Sequence, residues 1–383
     1  MVAYKTLDQL DVAGKRVLMR VDLNVPVHDG KIGDATRIER LVPTIERLST
    51  AGARIILISH FGRPKGKRST GDSLARLVEP LSLALGGKTV VFAEHCIGET
   101  ARLAVAALGD GDVLLLENLR FHAEEEENDP GFAQALASLA DLYVNDAFSV
   151  SHRAHASTEA VAKLLPCAAG LLMQAELDAL SAALEHPARP LAAFIGGSKV
   201  STKLDLLNSL VAKVDVLIIG GAMANTMLLA QGVEIGKSLV EANMLDIAKS
   251  IFAAAEKAGC EIVLPVDAVV ADRLAAGVAT EIVAINAVPA GKMILDIGPN
   301  SVAAVAAKLA QAKTLVWNGP AGAFEFPPFD AGTNAIAHRV AALVEAGKLL
   351  AVAGGGDTAS ALAHAGVEDK LSYVSTAGGA FLE

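Results

Sequence analysis

Leu191-Ala-Ala-Phe-Ile195 runs directly into Gly196-Gly-Ser-Lys-Val-Ser-Thr-Lys203, and apolar residues then recur at helical spacing over 203–211. A short aliphatic run, a glycine-rich turn and an amphipathic stretch read as strand, loop and helix. The same unit recurs on both sides of it. Further strands are predicted at 16–21, 54–59, 89–92, 113–116 and 142–145, and at 214–219, 261–266, 293–297, 314–317 and 349–353. Helical patterns at 36–49, 73–85 and 334–346 lie between them. Strand and helix in alternation imply right-handed crossovers and largely parallel sheets. The pattern breaks once, at a helical stretch over 170–185 closed by Pro187 and Pro190. The reading is therefore two α/β lobes, 1–168 and 188–383, joined by a connector helix within 169–187.

Composition agrees. A chain of 383 residues exceeds what one hydrophobic core usually organises. Hydrophobic residues reach 52% with only 4% aromatics, which suits Ala-faced helices on aliphatic strands and excludes disorder. Forty-three acids against 33 Lys and Arg leave a net charge of −10, which argues against nucleic acid or an anionic membrane as partner. The uncharged run at 216–233 is broken by Gly220-Gly221, Asn225, Thr226 and Gln231, so it reads as strand, turn and helix instead of a membrane span. Cys96, Cys167 and Cys260 lack metal-site or disulfide spacing, and the N-terminus lacks a signal-peptide pattern; a cytoplasmic protein is expected. The acidic run at 124–127 reads as a solvated loop edge.

Polar clusters sit where the strands end. Asp22-Leu-Asn24, His60-Phe-Gly-Arg63, Glu117-Asn-Leu-Arg120 and Asn145-Asp146 each follow a first-lobe strand. Ligands of open parallel sheets bind outside the carboxyl ends of the strands. Arg37, His60, Arg63, Arg120 and Arg153 would converge there, and like charges side by side need an anion among them. Any one of these arginines alone could equally be a solvated or ion-paired surface residue.

The second lobe carries glycines at the equivalent places: Gly196-Gly197, Gly220-Gly221, Asn318-Gly-Pro320 and Gly354-Gly-Gly-Asp-Thr358 are each read as following a strand and opening a helix. Such turns let backbone N–H groups approach phosphate. Lys199 and Lys203, four apart, would share a helix face and reach one anion. Asp357 among phosphates suggests a divalent cation such as Mg²⁺, though Asp357-Thr358 could instead be an ordinary helix N-cap. Gly232-Val-Glu-Ile-Gly236-Lys237-Ser238 is one residue short of a P-loop. Gly354-Gly-Gly-Asp-Thr-Ala359 fits the loose GxGxxA pattern, which leaves a nicotinamide-dependent dehydrogenase as a rival. A non-catalytic two-lobe binding protein is a second rival. His152 and His155 could be ligands or bases, or could hold Arg153 locally.

These stretches together resemble the phosphoglycerate kinase family over nearly the whole chain. The resemblance is carried by Arg20-Val-Asp-Leu-Asn-Val-Pro26, His60-Phe-Gly-Arg-Pro64, Glu117-Asn-Leu-Arg120, Asn145-Asp-Ala-Phe148 and His152-Arg-Ala-His155. In the second lobe it is carried by Gly196 to Lys203, Asp296-Ile-Gly-Pro299, Trp317-Asn-Gly-Pro320, Phe324-Glu325 and Gly354 to Thr358. It implies reversible, Mg²⁺-dependent phosphoryl transfer between 1,3-bisphosphoglycerate and ADP, giving 3-phosphoglycerate and ATP. Asp22, Leu23, Asn24, Arg37, His60, Phe61, Gly62, Arg63, Arg120 and Arg153 are implied to hold the three-carbon acid. Lys203, Glu325, Gly355, Gly356, Asp357 and Thr358 are implied to hold the nucleotide, with Asp357 on the metal. Arg37, Lys199 and Lys203 would surround the transferring group. A monomer is expected, with half-sites on two lobes that must close on each other.

Three departures stand out. Ala377 replaces the first glycine of the family's Ser-Thr-Gly-Gly-Gly-Ala, Met227 replaces an aromatic, and the chain ends at Glu383 where relatives continue. The last would bear on the efficiency of closure.

Overall fold

The computed structural model describes residues 4–28, 31–33, 35–375 and 377. The chain divides into two compact units, Met1–Asp178 and Ala179–Glu383. The helix Leu171–Leu180 runs across that division and continues as one π-helical turn, Ser181–Glu185.

The first unit is built on a six-stranded sheet in the order Val90–Ala93, Val113–Leu116, Arg54–Ile58, Arg16–Arg20, Leu142–Asn145, Cys167–Ala169. Every neighbouring pair is parallel. Successive residues of a strand face opposite sides, and the two cores follow that parity. Val17, Met19, Ile55 and Leu57 join one hydrophobic cluster, while Leu18, Ile56 and Ile58 join the other. Sheets covered on both faces need continuous aliphatic strands, hence the unbroken runs in the sequence.

The second unit repeats the plan in the order Glu261–Val263, Val216–Ile219, Leu191–Ile195, Thr314–Asn318, Leu350–Ala353, Tyr373–Val374, again all parallel. In chain order this is 3-2-1-4-5-6, the doubly wound arrangement with its switch point between Leu191–Ile195 and Thr314–Asn318. Leu191, Ala193 and Ile195 face one cluster and Ala192 and Phe194 the other.

Several expectations are corrected. Met293–Ile297 does not join the parallel sheet; it pairs antiparallel with Asp267–Ala271, which pairs antiparallel with Glu281–Ala284. The strand expected over 261–266 stops at Val263, and Asp267–Ala271 is a further strand outside the expected set. The short strands Cys167–Ala169 and Tyr373–Val374 extend the two sheets at their edges, and Val27–His28 pairs antiparallel with Lys31–Ile32. The helix expected over 36–49 is two helices, Thr36–Glu39 and Val42–Thr50, with Pro43 in the first turn of the second, where its missing N–H costs nothing. The acidic run at 124–127 is solvated only in part: Glu124, Glu126 and Glu127 are exposed, but Glu125, in the short helix Ala123–Glu126, is fully buried.

Candidate active site

In the first unit the strand ends converge as the topology requires. Asp22, just beyond Arg16–Arg20, accepts from Arg37 Nη1 at 2.7 Å, from the Asn24 N–H at 3.0 Å and from the Ser149 hydroxyl. Arg37 Nη1 also donates to the Asn24 carbonyl at 3.1 Å. Asn24 Oδ1 accepts from the Gly62 N–H at 2.9 Å, which ties the first strand's loop to the loop after Arg54–Ile58. Asn118, wholly buried, donates from Nδ2 to the carbonyls of Phe61 and Asp72 and accepts from the N–H groups of Phe61 and Arg120. Arg120 is 5% exposed, donates to the Gly62 carbonyl at 2.8 Å, and lies 3.1 Å from Glu126 without hydrogen-bond alignment at Nε. Burial, and then Arg153 and Arg20, lower its pKa against the pull of Glu126.

His60 is buried with its Nδ1 3.1 Å from Arg20 Nη2. Burial lowers its pKa well below the ordinary histidine value, and Arg20, Arg120, Arg153 and Arg37 add to this in turn. It is therefore neutral at pH 7 and adds no positive charge to the cluster. Arg37, Arg120 and Arg153 do gather about it. Arg63 is exposed and makes no hydrogen bond or ion pair among the described residues. Leu23 and Phe61 are core residues whose N–H groups are already taken by Ser59 and Asn118. His152 receives Arg153 Nε at 3.1 Å, in keeping with a local holding role. His155 is pushed down to about 4, by burial first and Arg120 next.

In the second unit the site lies at the switch point. The Gly196 N–H donates to the Asn318 carbonyl at 2.8 Å, and a Cβ on Gly196 would stand 1.9 Å from the Pro320 carbonyl oxygen. Only glycine permits that approach. Lys203 Nζ donates to the Gly196 carbonyl at 2.6 Å and to Asn318 Oδ1 at 2.5 Å, while Asn318 Nδ2 donates to the Gly354 carbonyl at 2.7 Å. Burial lowers Lys203 to about 8, with Asp357 acting in the opposite sense.

Two expectations fail here. Lys199 and Lys203 do not share a helix face, because residues 199–203 form turns and the helix begins at Leu204 with Lys203 as its N-cap. Lys199 is exposed. The N-cap of Gly356–His364 is Gly355, at φ +98°, and not Asp357-Thr358; Asp357 sits exposed in the first turn. Nor does a helix follow Asn318-Gly319-Pro320 directly. Thr358 is buried, donating to the Gly354 carbonyl and accepting from the Gly319 N–H, both at 2.7 Å, so it braces the loop.

Beside this junction lies a cavity of about 370 Å³. Leu228, Leu239, Leu274 and Met293 contribute apolar walls, and Glu325 and Asp357 are the expected nucleotide residues that line it. Lys203, Gly355, Gly356 and Thr358 stand outside the lining. Sequence reasoning missed the apolar walls, and it missed Asn318 as the link between Lys203 and the Gly354 loop. A polar residue closing an aliphatic strand in the doubly wound sheet was the available signal for Asn318. Ala377 is buried, its N–H donating to Ser375 Oγ at 3.0 Å; Gly378 and Gly379 lie outside the described residues.

The sequence model of the family described as phosphoglycerate kinase matches residues 7–383. A phosphoglycerate kinase of Methylorubrum extorquens is 59% identical over 384 residues, spanning all of this chain and 96% of the relative. One from Granulibacter bethesdensis is 59% identical over 382 residues, with the same coverage. Among solved structures, phosphoglycerate kinase from Coxiella burnetii superposes with a TM-score of 0.89 at 44% identity, covering 99% of this chain and 95% of that one. The enzyme from Pyrococcus horikoshii gives 0.83 at 30% identity, with the same coverage. The dehydrogenase reading finds no support, and the fold explains why: the Gly354 loop follows the fifth strand of its sheet, whereas a dinucleotide fingerprint follows the first.

Proposed function

This chain belongs to the phosphoglycerate kinase family, and we propose that its two units divide the reaction, the first holding the three-carbon acid and the second the nucleotide. The enzyme is a phosphotransferase with a carboxyl group as acceptor. In the forward direction the bond from phosphorus to the acyl oxygen of 1,3-bisphosphoglycerate breaks as a β-phosphate oxygen of ADP bonds to phosphorus. No protein nucleophile is needed; alignment and charge stabilisation suffice. The observation that carries this reading is an arginine cluster at the strand ends of one unit, together with an apolar pocket bordered by two carboxylates in the other.

In the acid site, Asp22 and the Asn24 carbonyl orient Arg37 through Nη1, and the planar guanidinium so held suits the oxygens of a carboxylate or phosphate. Arg120 and Arg153 supply further positive charge, and His60 supplies a neutral donor. In the nucleotide site the apolar walls suit a base, and Glu325, exposed at the cavity edge, suits ribose hydroxyls. Lys203, and Lys199 from its exposed loop, would meet charge on the nucleotide phosphates.

The Asp357 carboxylate is exposed, lines the cavity and makes no hydrogen bond among the described residues, so it fits a magnesium ligand. Bound there with nucleotide phosphates, Mg²⁺ would neutralise their charge. Free thiols at Cys96, Cys167 and Cys260 suit a reducing cytoplasm, and no helix among the described residues is long and apolar enough to cross a membrane.

A coupled assay on the full chain tests the reading. ATP formation from 1,3-bisphosphoglycerate and ADP that requires Mg²⁺ is the expected result. Binding of a nicotinamide nucleotide with no phosphoryl transfer would overturn it.

A further inference from the structure

Four groups of the first unit form a directed hydrogen-bonded chain that ends on His60. Strand parity places Arg20 on the same face as Leu18, where Ala156 packs, and only 1% of it is exposed. Its Nε donates to Ser157 Oγ at 2.9 Å, its Nη1 donates to the Val21 carbonyl, and its Nη2 lies 3.1 Å from His60 Nδ1. A guanidinium has only donors. The proton in the last contact therefore belongs to Arg20, and His60 Nδ1 must offer a lone pair.

The same logic orients Ser157. Its oxygen accepts from Arg20, so its single hydroxyl proton goes to Glu125 Oε1 at 2.5 Å, while its N–H donates to Oε2 at 2.9 Å. Glu125 is completely buried and offsets the burial of the guanidinium through this bridge. Every proton in the chain is thus assigned. In a neutral ring whose Nδ1 accepts, Nε2 carries the hydrogen, and that nitrogen has no hydrogen-bond partner among the described residues.

We propose that Arg20, Ser157 and Glu125 are positioning residues that lock His60 as its neutral Nε2–H tautomer, presenting one fixed hydrogen-bond donor to the three-carbon acid. The proposal rests on the acid-site reading above. The charges facing the ring agree with it. Arg20, Arg120, Arg153 and Arg37 all oppose a second proton, as burial does. The acidic groups are occupied elsewhere: Glu125 with Ser157, Glu126 beside Arg120, and Asp22 with Arg37. His155, 3.9 Å from Glu125, is itself pushed down to about 4 and stays neutral. An arginine neighbour thus makes this histidine a donor without making it a cation.

Nitrogen-15 spectra of the histidine rings in the intact protein, with His60→Gln assigning the signals, provide the test. His60 is expected to show a bare Nδ1 and a protonated Nε2 from pH 5.5 to 8, with no titration. A proton on Nδ1, or an imidazolium at pH 6.5, would overturn the proposal with no variant needed. Ser157→Ala is expected to bring a titration or a mixed tautomer into that range. It should also raise KM for 3-phosphoglycerate about tenfold with KM for ATP unchanged, and Ser157→Thr should restore both readouts. A Ser157→Ala protein whose ring signals stay those of the wild type would also overturn it. If the tautomer is as stated but His60→Gln leaves KM for the acid unchanged, the acid-site reading fails and the chain stands as architecture alone.

Discussion

Lys203 and Asn318 are joined at 2.5 Å, ammonium to side-chain carbonyl, across the switch point of the second sheet. Asn318 spends its amide on the Gly354 carbonyl, so one side chain fixes both the lysine and the loop that carries Asp357. Hydrogen bonds to charged groups are worth roughly 1.5–3 kcal/mol. Asn318→Ala should therefore lower kcat/KM for nucleotide by about 10- to 100-fold while KM for the acid stays within about twofold. Steady-state kinetics with each substrate varied in turn measures this. Equal losses for both substrates would mean that Asn318 supports the unit as a whole.

The partly buried ammonium of Lys203 titrates early. Burial brings it from 10.5 down to about 8, so the proton is held less tightly in the folded state than in the unfolded chain. Its contribution to stability is fully present only above about pH 10.5 and is lost as pH falls through about 8. The stability of the wild type relative to Lys203→Met should therefore rise from pH 8 towards pH 10 in denaturant titrations. Activity should move the opposite way if the charge is used, with kcat/KM for nucleotide falling above about pH 8. Lys203→Arg, charged throughout, should flatten that limb whatever its absolute rate.

Arg37 is anchored at one nitrogen by Asp22 and the Asn24 carbonyl. If its guanidinium meets charge that grows in the transition state, Arg37→Ala should cut kcat by ~10²–10³ with a much smaller rise in KM. Asp22→Asn keeps the shape but weakens the anchor, and should give a milder loss of the same kind. A change confined to KM would assign Arg37 to ground-state binding.

The parts that were legible from sequence share one physical origin. Strands buried on both faces must be aliphatic, and loops beyond their ends must carry the polar work, so 113–116, 142–145 and 191–195 could be bounded to the residue, as could the partly buried 293–297. Pairing direction is not written in such runs. Met293–Ile297 reads like any parallel strand, yet it pairs antiparallel with Asp267–Ala271, a strand the sequence reading did not include. Burial of charge was equally hidden. Glu125 sits in an acidic run that suggests solvent, and its partner Ser157 is 32 residues away. Lys199 and Lys203 were read through helical spacing, and the helix begins only at Leu204, past both of them. The glycines, by contrast, announced themselves, because backbone contact as close as that at Gly196 tolerates no other residue.

Asp267 shows what a buried carboxylate does for helix placement. It is 3% exposed and accepts from the Asn300 N–H at 2.9 Å and from the Ser301 N–H and hydroxyl at 2.7 and 2.6 Å. The helix Pro299–Gln311 begins after Gly298, which has no capping side chain, so Asp267 serves its first turn from a neighbouring strand. Asp267→Ala should cost about 2–4 kcal/mol by leaving those donors without their acceptor. Thermal unfolding should register a drop of roughly 5–15 °C, with Asp267→Asn falling between the variant and the wild type.

Asp296 is a buried carboxyl held towards its protonated form. It is 1% exposed, and burial raises it to about 7 although the N–H groups of Ile297 and Gly332 favour its ionised form; Asp330 adds to the rise. The folded state therefore binds this proton more tightly than the unfolded chain does. Its contribution to stability is complete below about pH 4, declines as pH rises, and is gone above about 7. Asp296→Asn cannot ionise, so its melting temperature should gain on the wild type between pH 4 and 7 and run parallel above that. Because Asp296 also lines the cavity, its ionisation sets a negative charge against nucleotide phosphates. Wild-type ADP affinity should accordingly weaken from pH 6 to 8 more than that of Asp296→Asn, as calorimetric titration at the two pH values would show. Parallel curves in both experiments would mean that the carboxyl keeps one charge state throughout.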